Sequence, residues 1–187
     1  MQTSKIALLI IDLINDFNFD HGNILSEKAK GIAEHIDNLK KHCKKERIPI
    51  IYVNDHYNLW QADLEKIIEY CTNDKSKKIL QKIKPTDEDY FLIKPRHSAF
   101  FGTALHTLLI KLKVEKLILT GLAGNICVLF TANDAYMREY QLLVPENCIA
   151  SVDDEDNKYA IRMMKNVMRA NIFTYKENTS ISSLRDS

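Results

Sequence analysis

Several features that mark specialised protein classes are scarce or missing in this sequence. The 187 residues include only five glycines and four prolines, and no Pro/Gly-rich linker or repeat divides the chain. The four cysteines stand far apart without a CxxC pair, which predicts reduced thiols in a cytoplasmic protein. No apolar run approaches the roughly 20 residues that cross a bilayer, and no signal peptide is predicted.

The sequence also lacks a large excess of either positive or negative charge. The 26 lysines and arginines nearly balance the 25 acidic residues, giving a formal net charge of +1. This balance leaves no large basic surface for nucleic acid and predicts no membrane association, so a small molecule is the expected partner. A hydrophobic content of 45% is enough for one sizeable core, and we expect residues 1–187 to form a single domain.

Six short apolar segments have the character of buried strands. Continuous runs of large aliphatic residues are typical of strands that are covered on both faces of a parallel sheet. The six segments are IALLIID, IPIIYVND, DYFLIK, EKLILTG, YQLLVPE and ANIFTY. We therefore expect a mainly parallel, six-stranded sheet.

Longer segments with helical periodicity separate these strands. Leu105, Leu108 and Leu112 fall on one stripe, as an amphipathic helix requires. Alternation of strands and helices implies right-handed crossovers, and it predicts an α/β fold with helices on both sides of the sheet. The predicted helices cover about 26–45, about 61–71, 103–112, 125–140 and 153–168.

Three residues with chemically active side chains stand at the ends of predicted strands. Asp12 closes the first strand, Lys94 closes the third, and Cys127 follows the fourth near the start of a helix. Ligands of such sheets bind beyond the carboxyl ends of the strands, where one cleft would collect all three side chains. We expect a helix start capped by Asn125, together with the Lys94 ammonium, to depress the pKa of Cys127. The thiolate would then be a nucleophile, with Asp12 as the proton carrier.

Each of these residues also has an ordinary alternative. A single cysteine in an apolar helix is commonly an inert core residue, an aspartate can cap a turn, and a lysine is commonly a solvated surface charge. The coincidence of all three at strand ends favours the catalytic interpretation.

Three motifs resemble the isochorismatase-like cysteine hydrolases, which include nicotinamidases and N-carbamoyl amide hydrolases. The motifs are LLIIDLINDF, LIKPRHSAFFGTAL and LTGLAGNICVLFTANDAYMREYQLLVPENCIAS. The resemblance extends over about residues 5–173. It implies a Rossmann-like three-layer α/β/α sandwich with a catalytic triad of Asp12, Lys94 and Cys127.

The resemblance also implies how the site stabilises negative charge. The backbone amides of Ala123 and Cys127 are expected to form an oxyanion hole. A cis peptide bond is expected between Leu122 and Ala123.

The chain departs from the nicotinamidases at the place where those enzymes bind a metal. They carry an Asp-x-His motif and a further histidine after the second strand, whereas here His56 follows Asp55 directly and the next histidine is His97. A zinc-like site needs at least three ligands, and only His97 or His21 is a candidate for the third. We therefore expect no metal and no cofactor, which argues against nicotinamide as the substrate.

Aromatic residues near the strand ends are candidates for the walls of a substrate pocket. We expect Phe17, Trp60 and Phe100 to contact a small, flat acyl or amide group, with ordinary core packing as the alternative. His97 and Ser98 follow Lys94 closely and are candidates either for polar pocket groups or for residues that fix a turn.

The predicted activity is hydrolysis of a C–N bond in a small amide, imide or carbamoyl compound through a thioester acyl-enzyme. Isochorismatase-type hydrolysis of a vinyl ether and a non-catalytic role in small-ligand binding are the alternatives. The resemblance also implies a homo-oligomer, either a dimer or a tetramer. The candidate residues for contact with a second copy are Tyr136, Met137, Tyr140, Met163, Met164 and Met168. Simple packing of a helix on the sheet is the alternative role for each of them.

Overall fold

Strands and helices alternate through residues 5–179 and Ile181, the part of the chain that this computed structural model describes. Strands β1 to β7 are Ile6–Ile11, Ile50–Asp55, Tyr90–Lys94, Lys116–Leu122, Gln141–Pro145, Ile149–Ala150 and Asn171–Phe173. Helices α1 to α6 are Gly22–Lys45, Leu64–Cys71, Lys77–Ile83, Leu105–Lys111, Leu129–Tyr136 and Asp154–Asn166. A π-helical turn, Gly124–Val128, connects β4 to α5. The remaining residues of the predicted domain, 1–4, 180 and 182–187, lie outside the described part.

All six predicted strands are present, and the sequence patterns missed one further strand and one further α-helix. Strand β6 has only two residues, which is too short for any periodicity to be visible. Helix α3 has only seven residues, and its three buried apolar residues, Ile79, Leu80 and Ile83, are too few to show a helical period. The predicted helix at 125–140 is divided, because its first residues wind as the π-helical turn. Ala123 is the N-cap of that turn, so the expected capping role of Asn125 is wrong.

The sheet is parallel throughout the described residues. Its strands lie in the order β3-β2-β1-β4-β5-β7, and β6 pairs with the carboxyl end of β4. From β1 the chain proceeds outward to β2 and β3, and from β4 it proceeds in the other direction to β5 and β7. The boundary between β1 and β4 is therefore the topological switch point, where ligands of doubly wound sheets bind.

Helices cover both faces of the sheet, which confirms the predicted three-layer sandwich. Along β1 the side chains of Ile6 and Leu8 pack into one hydrophobic cluster with α1, α2 and α3. Ala7 and Leu9 point to the opposite face and pack with α4, α5 and α6. This alternation explains why β1 is apolar at every position, because neither of its faces meets water.

Some of the residues predicted to contact a second copy of the chain are buried in the core, and others lie on the surface. Tyr140, Met164 and Met168 are buried in the cluster that joins the sheet to α5 and α6. Met137 is 70% exposed at the end of α5, and Tyr136 is also exposed. In the described residues, no helix combines the length and the apolar character that crossing a membrane requires.

Candidate active site

The three predicted catalytic residues meet at the carboxyl edge of the sheet. Asp12 directly follows β1 and has a positive φ of 48°. Lys94 is the last residue of β3, and Cys127 lies in the π-helical turn after β4. Because parallel strands end at the same edge, segments far apart in the chain bring these side chains into one place.

The Lys94 ammonium is at the centre of this group. Its Nζ lies 2.8 Å from Asp12 Oδ2 and 3.5 Å from Cys127 Sγ. It also donates a hydrogen bond to the Arg96 carbonyl at 3.2 Å. The lysine therefore contacts the carboxylate and the sulfur at once.

Strand β2 holds the Asp12 carboxylate in position. The Asp55 amide donates to Asp12 Oδ1 at 2.9 Å, and the Asp12 amide donates to the Val53 carbonyl at 3.1 Å. One carboxylate oxygen thus faces the backbone of β2, while the other faces Lys94. Such bonds from both sides restrict the rotation of the side chain.

Burial shapes the protonation of the ion pair. The side chains of Lys94 and Asp12 are only 2% and 9% exposed. Burial raises the pKa of Asp12 above its ordinary value, although the Lys94 charge acts in the opposite direction. Burial alone would lower the pKa of Lys94, but the neighbouring Asp12 and Cys127 together raise it. Lys94 is therefore a lasting positive charge, whereas Asp12 is suited to gain and release a proton.

The expected depression of the Cys127 pKa is wrong. Burial, followed by the negative charge of Asp12, raises the pKa of this thiol to about 12, and Lys94 opposes the shift only in part. A hydrogen bond between the two side chains lowers the pKa of Asp12 and raises that of Cys127, so the thiol is the donor. Cys127 is therefore a neutral thiol beside a base.

Gly121 permits the close approach of β4 to β1 immediately before the cysteine turn. Its φ is +112°, and a Cβ atom at this position would lie 2.0 Å from the Ile11 carbonyl oxygen. Any larger residue would push β4 away from the strand end that carries Asp12. The sequence signal for this role was the glycine directly after the apolar run.

The expected cis peptide bond between Leu122 and Ala123 is not found. Residues 5–179 and Ile181 contain no cis peptide bond, and a trans bond is the intrinsically favoured form. The turn is closed instead by the Ala123 carbonyl, which accepts hydrogen bonds from the amides of Ile126 and Val128. The assignment of the Ala123 and Cys127 amides to an oxyanion hole stays a prediction.

Two of the three predicted aromatic pocket residues belong to the core. Phe17 has no exposed surface and packs in the cluster with α1, while Phe100 is buried on the opposite face beside Tyr140. Phe17 is fully buried and Phe100 is 5% exposed, which favours core packing, the alternative stated above, and their pocket role stays a prediction. Trp60 is 65% exposed and stacks on His56 with ring centroids 3.8 Å apart. Its role in substrate binding stays a prediction.

His97, a candidate polar pocket group, lies beside the cysteine, a contact that the sequence patterns did not reveal. Its Nδ1 atom lies 3.9 Å from Cys127 Sγ, on the exposed side of the site. The neighbouring Ser98 is buried, and its hydroxyl accepts a hydrogen bond from the Phe100 amide within the turn. The sequence signal that placed His97 near the pocket was its distance of three residues from Lys94.

The residues at and just after the end of β2 do not fit a metal site. The Asp55 carboxylate accepts from the Tyr57 amide at 2.9 Å, and His56 Nδ1 accepts from the Asn58 amide at 3.0 Å. Both side chains thus stabilise the turn that follows the strand. Within the described residues, no three His, Cys, Asp or Glu side chains converge as metal ligands would.

Comparison with known proteins identifies the family of this chain. The isochorismatase domain family matches residues 6–175 of the chain. The chain belongs to the isochorismatase family. An isochorismatase-family relative from Bacillus subtilis (strain 168), the uncharacterized protein YaaI, is 58% identical over 177 residues, which cover 95% of this chain and 98% of YaaI.

Solved structures similar to this chain include a nicotinamidase and an amidase. The nicotinamidase PncA from Bacillus subtilis superposes with a TM-score of 0.71 at 28% identity, covering 90% of this chain and 99% of PncA. N-carbamoylsarcosine amidase from Thermoplasma acidophilum superposes with a TM-score of 0.73 at 26% identity, covering 95% of this chain and 99% of the amidase. The isochorismatase family is thus a family of hydrolases, and this chain has its fold.

Proposed function

We propose that this protein hydrolyses the C–N bond of a small amide, imide or carbamoyl compound through a thioester at Cys127. The observation that carries the proposal is the contact of one buried ammonium, Lys94, with both the Asp12 carboxylate and the Cys127 sulfur. A cysteine that only fills space in the core needs neither an ammonium nor a carboxylate beside it. The similarity to a nicotinamidase and to a carbamoylsarcosine amidase supports the same bond type.

The first half of the reaction uses Asp12 as a proton carrier. Since the pKa of Cys127 is raised to about 12, the thiol is protonated at neutral pH and needs a base as it attacks. The S–C bond forms while the thiol proton moves to the Asp12 carboxylate. Asp12 then gives this proton to the leaving nitrogen as the C–N bond breaks.

Lys94 stabilises the negative charge that moves through the site. The charge begins on Asp12 and passes to the sulfur and to the substrate oxygen during attack. Because Lys94 is buried and contacts both starting groups, its interaction with these charges is screened little by water. The amides of Ala123 and Cys127 are proposed to bind the oxyanion, and Trp60 is proposed to contact the acyl group.

The thiol supplies the nucleophile, so this scheme needs no activated metal-bound water. We expect activity to survive dialysis against a chelator and to be unaffected by added zinc, manganese or iron. Activity that disappears with the chelator and returns with one ion would contradict the scheme and favour nicotinamide as the substrate.

The decisive test is a panel of small amides, ureas, carbamoyl compounds and isochorismate, assayed with the wild type and with Cys127→Ala and Asp12→Asn. Both variants should lose turnover of a C–N substrate, and Cys43→Ala, which alters a buried cysteine on α1, should retain it. A thioester on Cys127 should be trapped by acid quench and found by mass spectrometry. Turnover of isochorismate alone would support vinyl-ether hydrolysis. Saturable binding without turnover would support a binding protein.

A further inference from the structure

We propose that His97 is a second proton-transfer residue of this site and acts on the water that hydrolyses the thioester. This inference rests on the proposed function and assigns the second half of the reaction. It begins from the contact of His97 Nδ1 with Cys127 Sγ at 3.9 Å.

The sulfur has one proton acceptor on its buried side and another on its exposed side. Asp12 is enclosed, and its two carboxylate oxygens already bind the Asp55 amide and the Lys94 ammonium. His97 is exposed, and its Nδ1 lies 3.9 Å from the sulfur. Of the two acceptors near the sulfur, the imidazole is therefore the one exposed to solvent.

The segment that carries His97 is anchored at both ends. On one side the Arg96 carbonyl accepts from Lys94 Nζ at 3.2 Å. On the other side the Ala99 amide donates to Thr131 Oγ1 of α5 at 2.9 Å. The imidazole also packs against the ring of Phe130, with centroids 5.6 Å apart. Because these anchors include Lys94 and the helix that follows Cys127, the imidazole is held beside the reacting sulfur.

Hydrolysis of the thioester needs only water, His97 and Cys127. Water attacks the thioester carbon, and His97 takes one of its protons as the C–O bond forms. The C–S bond then breaks, and the sulfur leaves as a thiolate. His97 returns the same proton to Cys127, which restores the neutral thiol and releases the carboxylic acid product.

The experiment follows the second half-reaction with p-nitrophenyl acetate as the acyl donor. The acetylated enzyme is freed of ester by rapid gel filtration, and the acetyl group on Cys127 is followed by peptide mass spectrometry. The variants are His97→Ala and His97→Gln, and the matched control is His35→Ala, an exposed histidine on α1. Circular dichroism checks that each variant is folded.

We expect acetylation of Cys127 at a similar rate in all four proteins and loss of the acetyl group about 10²-fold more slowly in both His97 variants. Added imidazole should accelerate that loss in His97→Ala well beyond its effect on the control, which a merely structural role would not produce. Unchanged loss in the His97 variants, or slow loss without imidazole rescue, would overturn the role of His97 alone. Absence of acetyl-Cys127 in the wild type would overturn the proposed function itself.

Discussion

Replacement of Lys94 by methionine should destabilise the protein, and the loss should grow with pH. The substitution removes the positive charge but keeps a long, unbranched side chain in the same space. Asp12 would then be a buried carboxylate without a counter-ion, because its side chain is only 9% exposed and Lys94 lies 2.8 Å away in the native pair. The carboxylate must either keep an unpaired charge or take up a proton.

The size of the stability loss follows from the contact between Lys94 and Asp12 and from the burial of this pair. Unit charges about 4 Å apart attract by about 4 kcal/mol at an effective dielectric constant of about 20. Removal of one partner from a buried pair costs about 3–5 kcal/mol. We therefore expect Lys94→Met to lower the free energy of unfolding by about 3–5 kcal/mol near neutral pH.

The direction of the pH dependence follows from Asp12. Its pKa is already raised by burial, and the Lys94 charge that opposes this shift is absent from the variant, so the pKa rises further. An acid whose pKa is higher in the folded state contributes stability below its unfolded pKa and loses it as the pH rises through the folded pKa. The difference between variant and wild type should therefore widen from about pH 5 to about pH 8.

Urea unfolding at several pH values measures this difference, and the double variant Asp12→Asn/Lys94→Met is the control. Two neutral side chains leave no unpaired charge, so the double variant should be more stable than Lys94→Met and its pH dependence should be flat in this range. A cost that is the same at pH 5 and pH 8, or a double variant no more stable than Lys94→Met, would refute the reasoning.

The remaining predictions concern the thiol, the pocket and assembly. Iodoacetamide should label Cys127 ahead of the other three cysteines, because those three are buried. The labelling rate should still rise above pH 9, because the pKa of Cys127 is raised to about 12. A labelling rate that reaches a plateau near pH 7 would contradict this. Trp60→Ala should raise KM while changing stability by less than about 0.5 kcal/mol, because the indole is largely exposed; an unchanged KM would remove Trp60 from the pocket. We propose a homo-oligomer in which Met137 contacts a second copy, and light scattering that gives 21.6 kDa would exclude it.

The sequence by itself determined six of the seven described strands, most of the helices around them and the candidate catalytic residues. Apolar runs such as Ile6–Ile11 are local signals, because every residue of a strand covered on both faces must be apolar. Parallel strands end at one edge, so placing Asp12, Lys94 and Cys127 at strand ends was enough to predict that they meet. Their contacts in the structure agree with that inference.

Only the tertiary structure decided the protonation of the thiol and the surroundings of the site. The pKa of Cys127 depends on burial by several elements at once, and no local pattern reports how completely water is excluded. Phe17 and Phe100 follow strand ends as pocket residues do, but the backbone turns both side chains into the core. The contact between His97 and Cys127 joins residues 30 positions apart, and it exists because α5 and the loop after β3 pack together.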